Sequence, residues 1–326
     1  MLYSIIVPVY NRPDHIEGLL ACLEKQTYKN FETIVVESGS SIRSDEVVAK
    51  FKKRINVHYC PTGNHGQGFS RNYGMTHAKG DYFLILDSDI LLDNFFIEHI
   101  DKGIKAQKLD AHGGPDKLHP HSNTVQKAVN YMMTSFLTTG GTRGKKKSIG
   151  KYYPRSFNMG FSRKVYEETQ GFNLPYMGED LELSRRIYAK GFNVGLIEEA
   201  HVFHERKKSL KTFYKQIHWF GRSRINTFRM FPDTLKLAHF IPLGFILYLL
   251  VLLFSTIFFT EFTPWFTLPL LIYLFAIQLD AVRQYKNPIV ALLSMTAVFY
   301  LFFGYAFGMI TEYFKPSNIN KTEKIS

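Results

Sequence analysis

The chain has little cysteine and no segment that resembles a cleavable leader. Its 326 residues include two cysteines, Cys22 and Cys60, which fit neither a disulfide framework nor a zinc-binding spacing. We therefore expect two ordinary thiols in a reducing compartment. The apolar run at residues 3–7 lacks a basic leader and stops at Pro8, so it is too short for a signal peptide and predicts a strand. We accordingly expect the bulk of the protein to remain cytoplasmic.

Acidic residues are the scarcer charged class. There are 28 Asp and Glu against 40 Lys and Arg, and the formal net charge is +12. Such an excess favours anionic partners, which include nucleic acid, phosphorylated ligands and acidic lipid. The basic residues match no recognisable nucleic-acid-binding motif, so we expect no nucleic-acid partner. The sequence also contains no internal repeat and no low-complexity segment.

Strand and helix patterns alternate through residues 1–110. The β-branched apolar runs lie at 5–9, 33–36, 57–59 and 82–86, and the helical patterns between them at 13–26, 45–53 and 68–78. This alternation predicts an α/β fold with a mostly parallel sheet covered by helices. Ligands of such sheets bind beyond the carboxyl ends of the strands. Because residues 8–11, 37–41 and 87–89 lie at such strand ends, we expect them to share one site.

The middle of the chain is less regular. Residues 111–156 contain paired glycines and a basic run at 143–147, so we expect a mobile loop region there. Order returns with predicted elements at 157–161 (strand), 179–190 (helix), 194–197 (strand) and 201–203 (strand). Residues 209–230 are typical of an amphipathic helix rich in aromatics and arginine.

Three uncharged hydrophobic runs follow residue 237. They cover residues 241–259, 264–279 and 289–311. A helix that spans a bilayer needs about 20 apolar residues, so the first and third runs qualify. The second is short and would cross with distortion or lie re-entrant. Buried core helices are the alternative, which is disfavoured because none of the runs has a polar face.

Two carboxylates follow the buried strand pattern at 82–86. In an extended segment the side chains of Asp87 and Asp89, on either side of Ser88, point the same way. They can share one hard cation, or bracket a ribose and a metal. A Mg²⁺ or Mn²⁺ ion held there would neutralise a diphosphate. A polar turn between strand and loop is the structural alternative.

Other polar groups lie where a nucleotide would bind. Pro8, Tyr10 and Asn11 lie at the end of the first strand, and Glu37 ends the second, where its carboxylate could accept from a ring N–H of uracil. Arg71 follows a glycine-rich helix entry that permits close backbone approach, and its cation suits a phosphate or an acidic neighbour. The alternatives are a proline-ended strand, a glycine-containing turn and a surface arginine.

Three later residues are candidates for chemistry. Glu179 and Asp180 open a predicted helix, where one of them could act as a general base for an acceptor hydroxyl. Capping of the helix and its dipole is the alternative role. His204 ends a predicted strand and could add a metal ligand, although a hydrogen-bonded structural histidine is the alternative.

Taken in order, these motifs resemble those of the family 2 glycosyltransferases. The matching residues lie within 1–230, at 6–11, 70–74, 78–82, 86–89, 158–160, 171–172 and 178–183. The resemblance implies the GT-A fold and an inverting, metal-dependent transfer from a nucleotide-diphosphate sugar. It also implies that Asp89 is the metal ligand, Asp87 a sugar and ribose contact, and Asp180 the base.

The sequence departs from the family pattern at three places. Residues 37–40 read Glu-Ser-Gly-Ser where Asp-Asp-Gly-Ser is frequent, which weakens the expectation of a UDP-sugar. Ile90 replaces a third acid. The Gln-x-x-Arg-Trp motif of processive synthases is absent, and residues 216–219 match it only loosely, so we expect single-sugar transfer rather than polymerisation.

From these features we expect a catalytic domain at 1–236 and a membrane region at 237–326. Within the first, 1–110 would bind the nucleotide and 111–236 the acceptor, which the loop at 111–156 would select. One alternative is a sugar nucleotidyltransferase, whose glycine-rich loop is similar to residues 140–143. Another is an inactive membrane assembly protein, which the presence of all three aspartates disfavours.

The membrane region bears on location and acceptor. Basic and aromatic residues are interleaved through 206–236, and basic residues beside a span stay cytoplasmic. We therefore expect the catalytic domain at the cytoplasmic face of the cell membrane, acting on a glycan or lipid-linked acceptor for the cell envelope. The number of spans stays open at two or three, because a third would place Lys315, Lys321 and Lys324 outside.

Overall fold

The computed structural model of the protein describes residues 1–140 and 151–316. The basic run at 143–147 lies outside the described residues, as do residues 141–143 of the glycine-rich sequence and Lys321 and Lys324 of the tail. The described residues form two compact units. We call residues 1–119 and 151–205 the sheet unit, and residues 120–140 and 206–316 the helical unit.

The elements follow one another in chain order. The first half contains β1 (Tyr3–Val9), α1 (Pro13–Glu24), β2 (Phe31–Ser38), α2 (Asp45–Phe51), β3 (Val57–Thr62), α3 (Gln67–Thr76), β4 (Tyr82–Leu86), β5 (Ile90–Leu91), α4 (Phe96–Gln107), β6 (Ala111–Gly113), β7 (Asp116–Leu118), α5 (Thr124–Thr134) and α6 (Phe136–Thr139). The second half contains β8 (Asn158–Ser162), α7 (Arg163–Thr169), α8 (Glu179–Ala189), β9 (Val194–Leu196), β10 (Val202–His204), α9 (Leu210–Met230), α10 (Ile241–Phe258), α11 (Thr263–Tyr285) and α12 (Pro288–Tyr313).

The sheet unit is built on a seven-stranded sheet with the order β3-β2-β1-β4-β8-β6-β9. Strand β8 runs antiparallel to both neighbours, and the other pairs are parallel. A smaller sheet has the order β5-β10-β7 and pairs His204 with Ile90. The short strand β10 thus lies beside the turn that leaves β4.

Helices cover both faces of the larger sheet. Along β1, Ile5 and Val7 face a core formed with α1, α2 and α4, whereas Ile6 faces a second core formed with α3, α7 and α8. The predicted α/β fold is therefore confirmed, with a mostly parallel sheet covered on both sides. Every residue of β1, β2 and β4 is buried, as their β-branched sequences require.

The prediction of a mobile loop region at 111–156 is wrong for most of the described residues in that range. Residues 111–140 form β6, β7, α5 and α6. Helix α5 begins with a capping box, in which the side chains of Asn123 and Gln126 each accept from the other's backbone N–H. Its buried face includes Val129 and Met132. Capping and burial together stabilise a helix whose sequence period is interrupted by polar residues.

The helical unit contains α5, α6 and α9–α12 around a core of its own. Its extent differs from the membrane region that we expected at 237–326, because α9 groups with the hydrophobic helices. The physical reason is close packing of α9 on α12. A Cβ at Gly221 or Gly308 would collide with a backbone carbonyl oxygen of the other helix, that of Tyr305 or His218.

Three helices of this unit are long and apolar enough to cross a membrane. They cover Leu237–Phe258, Thr260–Tyr285 and Pro288–Tyr313. In the apolar 18-residue stretch of each, the share buried within the protein is 6%, 11% and 50%, respectively. The last helix is therefore packed quite differently from the first two.

Replacing Gly221 by alanine tests the backbone contact between α9 and α12. The added methyl group forces the helices apart, and overpacking of this kind costs about 1–3 kcal/mol. We expect a lower apparent Tm for detergent-purified Gly221→Ala. Gly244→Ala is the matched control, because a Cβ there meets nothing within 4 Å. Alanine in an open helical position stabilises by about 0.5–1 kcal/mol. Equal Tm values for the two variants would contradict the contact.

Candidate functional site

The two acids after β4 point to different partners. Asp87 accepts a hydrogen bond from Arg71, with 2.9 Å between Oδ1 and Nη2. Asp89 lies beside His204, with 3.2 Å between Oδ1 and Nε2. Both carboxylates remain partly exposed, at 26% and 28% of the side chain. The pair is therefore open to a ligand, and its two members have distinct surroundings.

Arg71 connects the turn that carries Asp87 and Asp89 to the start of α8. Its guanidinium is fully buried, and Nη1 donates to Glu179 Oε1 at 3.0 Å while Nη2 holds Asp87. Burial alone would lower the pKa of Arg71, but the two carboxylates outweigh it and raise the pKa above its ordinary value. The predicted pairing of Arg71 with an acidic neighbour is what the structure contains.

Glycine at the entry of α3 lets this arginine reach the site. A Cβ on Gly68 would collide with the carbonyl oxygen of Leu174, and the Gly68 N–H donates to Pro175 at 3.0 Å. The first turn of α3 therefore lies directly against the loop that precedes α8. Arg71, in the next turn, then faces Glu179 although 108 residues separate the two.

The two acids at the start of α8 have different environments. Glu179 is buried and accepts hydrogen bonds from Arg71 and from Ser156 Oγ at 3.1 Å, so it positions the arginine. Asp180 is partly exposed and accepts only the Leu181 N–H, at 2.8 Å, from the described residues. Burial and the negative charge of Glu179 raise the pKa of Asp180, although Arg155 opposes them.

The surroundings also perturb Asp87. Burial raises its pKa above the ordinary range, Arg71 counteracts this, and the neighbouring Asp89 adds to the increase. The cluster holds four carboxylates, those of Asp87, Asp89, Glu179 and Asp180, against the guanidinium groups of Arg71 and Arg155. Excess negative charge in one place favours a cation or a proton.

Asp89 and His204 suit a divalent metal. The carboxylate oxygen and the imidazole nitrogen are 3.2 Å apart, and both side chains retain solvent access. Carboxylate is a hard ligand and imidazole a borderline one, and divalent metals accept both. No group of three or more His, Cys, Asp or Glu side chains with metal-binding geometry occurs in residues 1–140 and 151–316. Mg²⁺-type ions are usually held by one or two carboxylates plus substrate phosphates, so this donor set fits a metal that arrives with a diphosphate.

A cavity of about 190 Å³ opens beside Asp89 and Ser88. His15 and Glu205 also line it, with 3.7 Å between Nε2 and Oε2. Neither these two residues nor Ser156 is a candidate from the sequence alone. The one signal for Glu205 was its place next to His204, and nothing local marked His15, because its approach to Glu205 is set by tertiary packing.

Pro8, Tyr10 and Asn11 lie at the carboxyl end of β1, as predicted. Pro8 is buried in the strand, and Tyr10 is 53% exposed. Asn11 has a positive φ of 53°, and its side-chain oxygen accepts from the Ile42 N–H at 2.9 Å. Tyr10 is thus free to contact a ligand, whereas the amide oxygen of Asn11 holds the neighbouring loop.

Glu37 also organises this loop. It is buried at the end of β2, and its oxygens accept from Ser40 Oγ and from the Ser44 N–H, the latter at 2.8 Å. Tyr59 donates a longer hydrogen bond of 3.5 Å to the same carboxylate. These contacts give Glu37 a structural task that is separate from the predicted contact with a nucleobase.

Fold and site together define an α/β protein with an acidic turn at the carboxyl edge of its sheet. Residues 4–170, about half of the chain, match the family model described as Glycosyl transferase family 2. The protein belongs to this family, and its fold is the GT-A fold.

Known proteins resemble the chain in sequence and in fold. Glycosyltransferase GlyA of Streptococcus pneumoniae is 32% identical over 189 residues, which cover 58% of this chain and 23% of GlyA. The mannosyltransferase PcManGT from Pyrobaculum calidifontis, solved with GDP-Man and Mn²⁺, has a TM-score of 0.61 at 15% identity, and the match covers 96% of this chain and 87% of the PcManGT chain. Residues 1–349 of S. aureus TarS with UDP-GlcNAc have a TM-score of 0.52 at 17% identity, and the match covers 96% of this chain and 92% of the TarS chain.

The matches to curated relatives are partial. The matched segments span between 14% and 40% of the length of those relatives. At 15–17% identity the structural neighbours establish the fold alone.

Removing Arg71 tests whether it holds the site together. In Arg71→Ala the buried carboxylate of Glu179 loses its cation, and breaking a buried pair on one side costs about 3–5 kcal/mol. We expect a large drop in the apparent Tm of the purified protein. Arg54→Ala is the control, because Arg54 pairs with Glu24 at 2.8 Å on the surface, where such pairs contribute at most about 1 kcal/mol. Equal losses in the two variants would show that Arg71 does not hold the acids.

Proposed function

We propose that the protein is an inverting, metal-dependent glycosyltransferase, which moves one sugar from a nucleotide-diphosphate donor to an acceptor hydroxyl. One observation carries the proposal. Arg71 joins Asp87, at the donor edge of the sheet, to Glu179, and Glu179 is next to an aspartate that keeps an oxygen available. The acid of the donor site and the candidate base therefore belong to one cluster.

On the donor side, Asp87 is the proposed contact for ribose and sugar hydroxyls. Arg71 fixes its orientation, and Ser88 and Tyr10 present polar groups at the same strand ends. Pro8, Asn11 and Glu37 shape the surrounding loops, so we assign them an indirect part in nucleotide binding. The choice of a UDP-sugar is a proposal supported by the family resemblance and by the UDP-GlcNAc bound to the TarS neighbour. PcManGT instead holds GDP-Man.

On the acceptor side, Asp180 is the proposed general base. It accepts the proton of the acceptor hydroxyl as that oxygen forms its bond to the anomeric carbon. The bond between this carbon and the diphosphate oxygen breaks at the same time, and the nucleoside diphosphate leaves with the electron pair. Attack from the opposite face inverts the anomeric centre. Glu179 keeps its place by binding Arg71 and raises the basicity of its neighbour.

Asp89 and His204 would hold a divalent metal, Mn²⁺ or Mg²⁺, with Asp87 nearby. Such an ion supplies positive charge that stabilises the departing diphosphate. The Mn²⁺ bound to PcManGT supports this assignment. His204 orients its ring against Phe157, with 5.7 Å between the ring centroids, so that Nε2 faces Asp89.

The helical unit supports a proposal for the class of acceptor. Helices that can enter a bilayer favour a glycan or lipid-linked acceptor at the cytoplasmic face of the cell membrane, as in the synthesis of cell-envelope polysaccharide. The direct experiment is a hydrolysis and transfer screen of purified full-length protein with a panel of nucleotide sugars and Mn²⁺. Release of nucleoside diphosphate supports the proposal. Formation of pyrophosphate from sugar 1-phosphate and nucleoside triphosphate would instead identify a nucleotidyltransferase.

Replacing the proposed metal ligand tests metal dependence. Asp89→Asn should lose transfer while keeping its Tm, because a neutral amide is a poor ligand for a hard cation. EDTA should inactivate the wild type, and Mn²⁺ or Mg²⁺ should restore it. Asp14→Asn, an exposed acid beside the same cavity, should keep its activity. Full wild-type activity in EDTA would exclude a metal requirement.

Replacing the proposed base separates catalysis from capping. Asp180→Asn should reduce kcat by about two to four decades, the usual contribution of a general base, with little change in donor affinity. Asp45→Asn, an acid in the first turn of α2, should leave kcat unchanged. Comparable small effects at both positions would indicate that Asp180 serves only the helix terminus.

A pH profile identifies the titrating group. The base must be deprotonated, so kcat/KM should fall on the acid side as pH drops through the raised pKa of Asp180. Glu179→Gln removes a negative neighbour, lowers that pKa and should shift the acid limb to lower pH. Glu182→Gln should not shift it, because Glu182 pairs with Arg186 at 2.6 Å. An acid limb that stays in place in Glu179→Gln would contradict the assignment.

A further inference from the structure

The three hydrophobic helices differ in what covers them. Ser255 is the one buried residue of α10, and Ile277 the one buried residue within 263–279 of α11. The exposed apolar side chains include Leu247, Leu250, Phe254, Leu268, Ile272 and Phe275. Helix α12, by contrast, is half buried within the protein. A surface this apolar on a helical hairpin requires a lipid environment, whereas α12 already has protein partners.

The main partner of α12 is the basic helix α9. Contacts advance in the same direction along both helices, from Tyr214 with Tyr300 to Arg229 with the carbonyl oxygen of Lys315. The two helices are therefore parallel over about 22 Å, at 1.5 Å per residue. Gly221 and Gly308 bring their backbones together, so α9 cannot be separated from α12 without rebuilding this interface.

Helix α9 carries charge along this whole length. Lys215, Arg222, Arg224 and Arg229 occur at intervals through the segment that accompanies α12. Arg222 also pairs with Glu312 of α12, with 2.6 Å between Nε and Oε2. A charged side chain at the bilayer centre is costly. If α12 crossed the bilayer, α9 would have to bring these groups into the hydrocarbon with it.

The hairpin formed by α10 and α11 lacks such basic residues along nearly its whole length. No Lys or Arg occurs in residues 237–282, and its connection carries one charge, Glu261. Phe259, Phe262 and Trp265 surround this position in sequence and are exposed, which is typical of a membrane interface. Helix α10 has 18 residues, or about 27 Å, which approaches the thickness of the hydrocarbon core.

The end of the hairpin that is opposite Glu261, which we call the near end, is polar. Asp280 of α11 accepts hydrogen bonds from Tyr131 at 2.8 Å and Ser135 at 3.1 Å, both in the α5–α6 segment. Arg283 and Lys286 follow immediately. The apolar part of α11 thus ends before residue 280, at a level where the helix already contacts the polar groups of α5.

We propose that α10 and α11 alone cross the bilayer, as a hairpin with Glu261 at the far interface, and that α12 stays at the near surface beside α9. The C-terminal end of α12 is then on the same side of the membrane as residues 1–140 and 151–205. All basic residues of 206–316 remain on that side, in agreement with the positive-inside rule. This arrangement goes beyond the proposed transferase activity and does not depend on it.

Site-specific labelling in membranes tests the arrangement. Single cysteines are introduced into full-length Cys22→Ala/Cys60→Ala protein at three exposed positions: Lys53→Cys in the sheet unit, Glu261→Cys in the hairpin and Pro316→Cys after α12. A membrane-impermeant maleimide is applied to sealed vesicles of either orientation, and detergent-opened vesicles give the total labelling of each cysteine. We expect Lys53→Cys and Pro316→Cys to be labelled in vesicles of the same orientation. Glu261→Cys should be labelled only in vesicles of the opposite orientation.

Two results would overturn the proposal. Labelling of Pro316→Cys together with Glu261→Cys would mean that α12 crosses and that the protein has three spans. Labelling of all three cysteines from one side would mean that the hairpin does not cross. Transfer activity is measured on the same preparations, so a failure of the topology is distinguishable from a failure of the proposed function.

Discussion

A fully buried guanidinium group lies between the two acidic parts of the site, and the remaining geometry depends on it. Arg71 donates to Asp87 and to Glu179, which come from distant parts of the chain. Without a cation there, burial would favour protonation of both carboxylates and would remove the charge that a sugar or a metal needs. The glycine entry of α3, the loop before α8 and the turn after β4 all converge on this one side chain.

Such a centre also divides the work among four acids that lie close together. Asp87 and Glu179 are occupied by Arg71, so their positions are fixed and they are poor candidates for proton transfer. Asp89 faces His204 and solvent, which suits a metal, and Asp180 keeps an available oxygen and a raised pKa, which suits a base. Environment rather than residue type therefore separates the roles, as in other sites with paired carboxylates.

The sequence predicted best what depends on local pattern. The β-branched runs of β1–β4 and the position of Asp87 and Asp89 after a buried strand follow from periodicity, and the structure contains them. Pairing of Arg71 with Glu179 rather than Asp180 could not be predicted, because it depends on how the loop before α8 packs on Gly68. Helix α5 was missed because its apolar face is short and polar residues interrupt it, and only its capping box and its packing partners stabilise it.

The hydrophobic runs show a different limit of sequence reasoning. Runs 241–259 and 289–311 have similar composition and length, yet their helices differ in burial, 6% against 50%. Hydropathy measures the preference of a helix for any apolar surroundings, and a protein partner satisfies that preference as well as lipid does. For α12 the partner is α9, whose backbone can approach closely because Gly221 and Gly308 lack side chains. In the proposed topology, the contact that buries α12 also keeps it out of the hydrocarbon because α9 is basic, so that glycine placement rather than hydrophobicity decides which runs span.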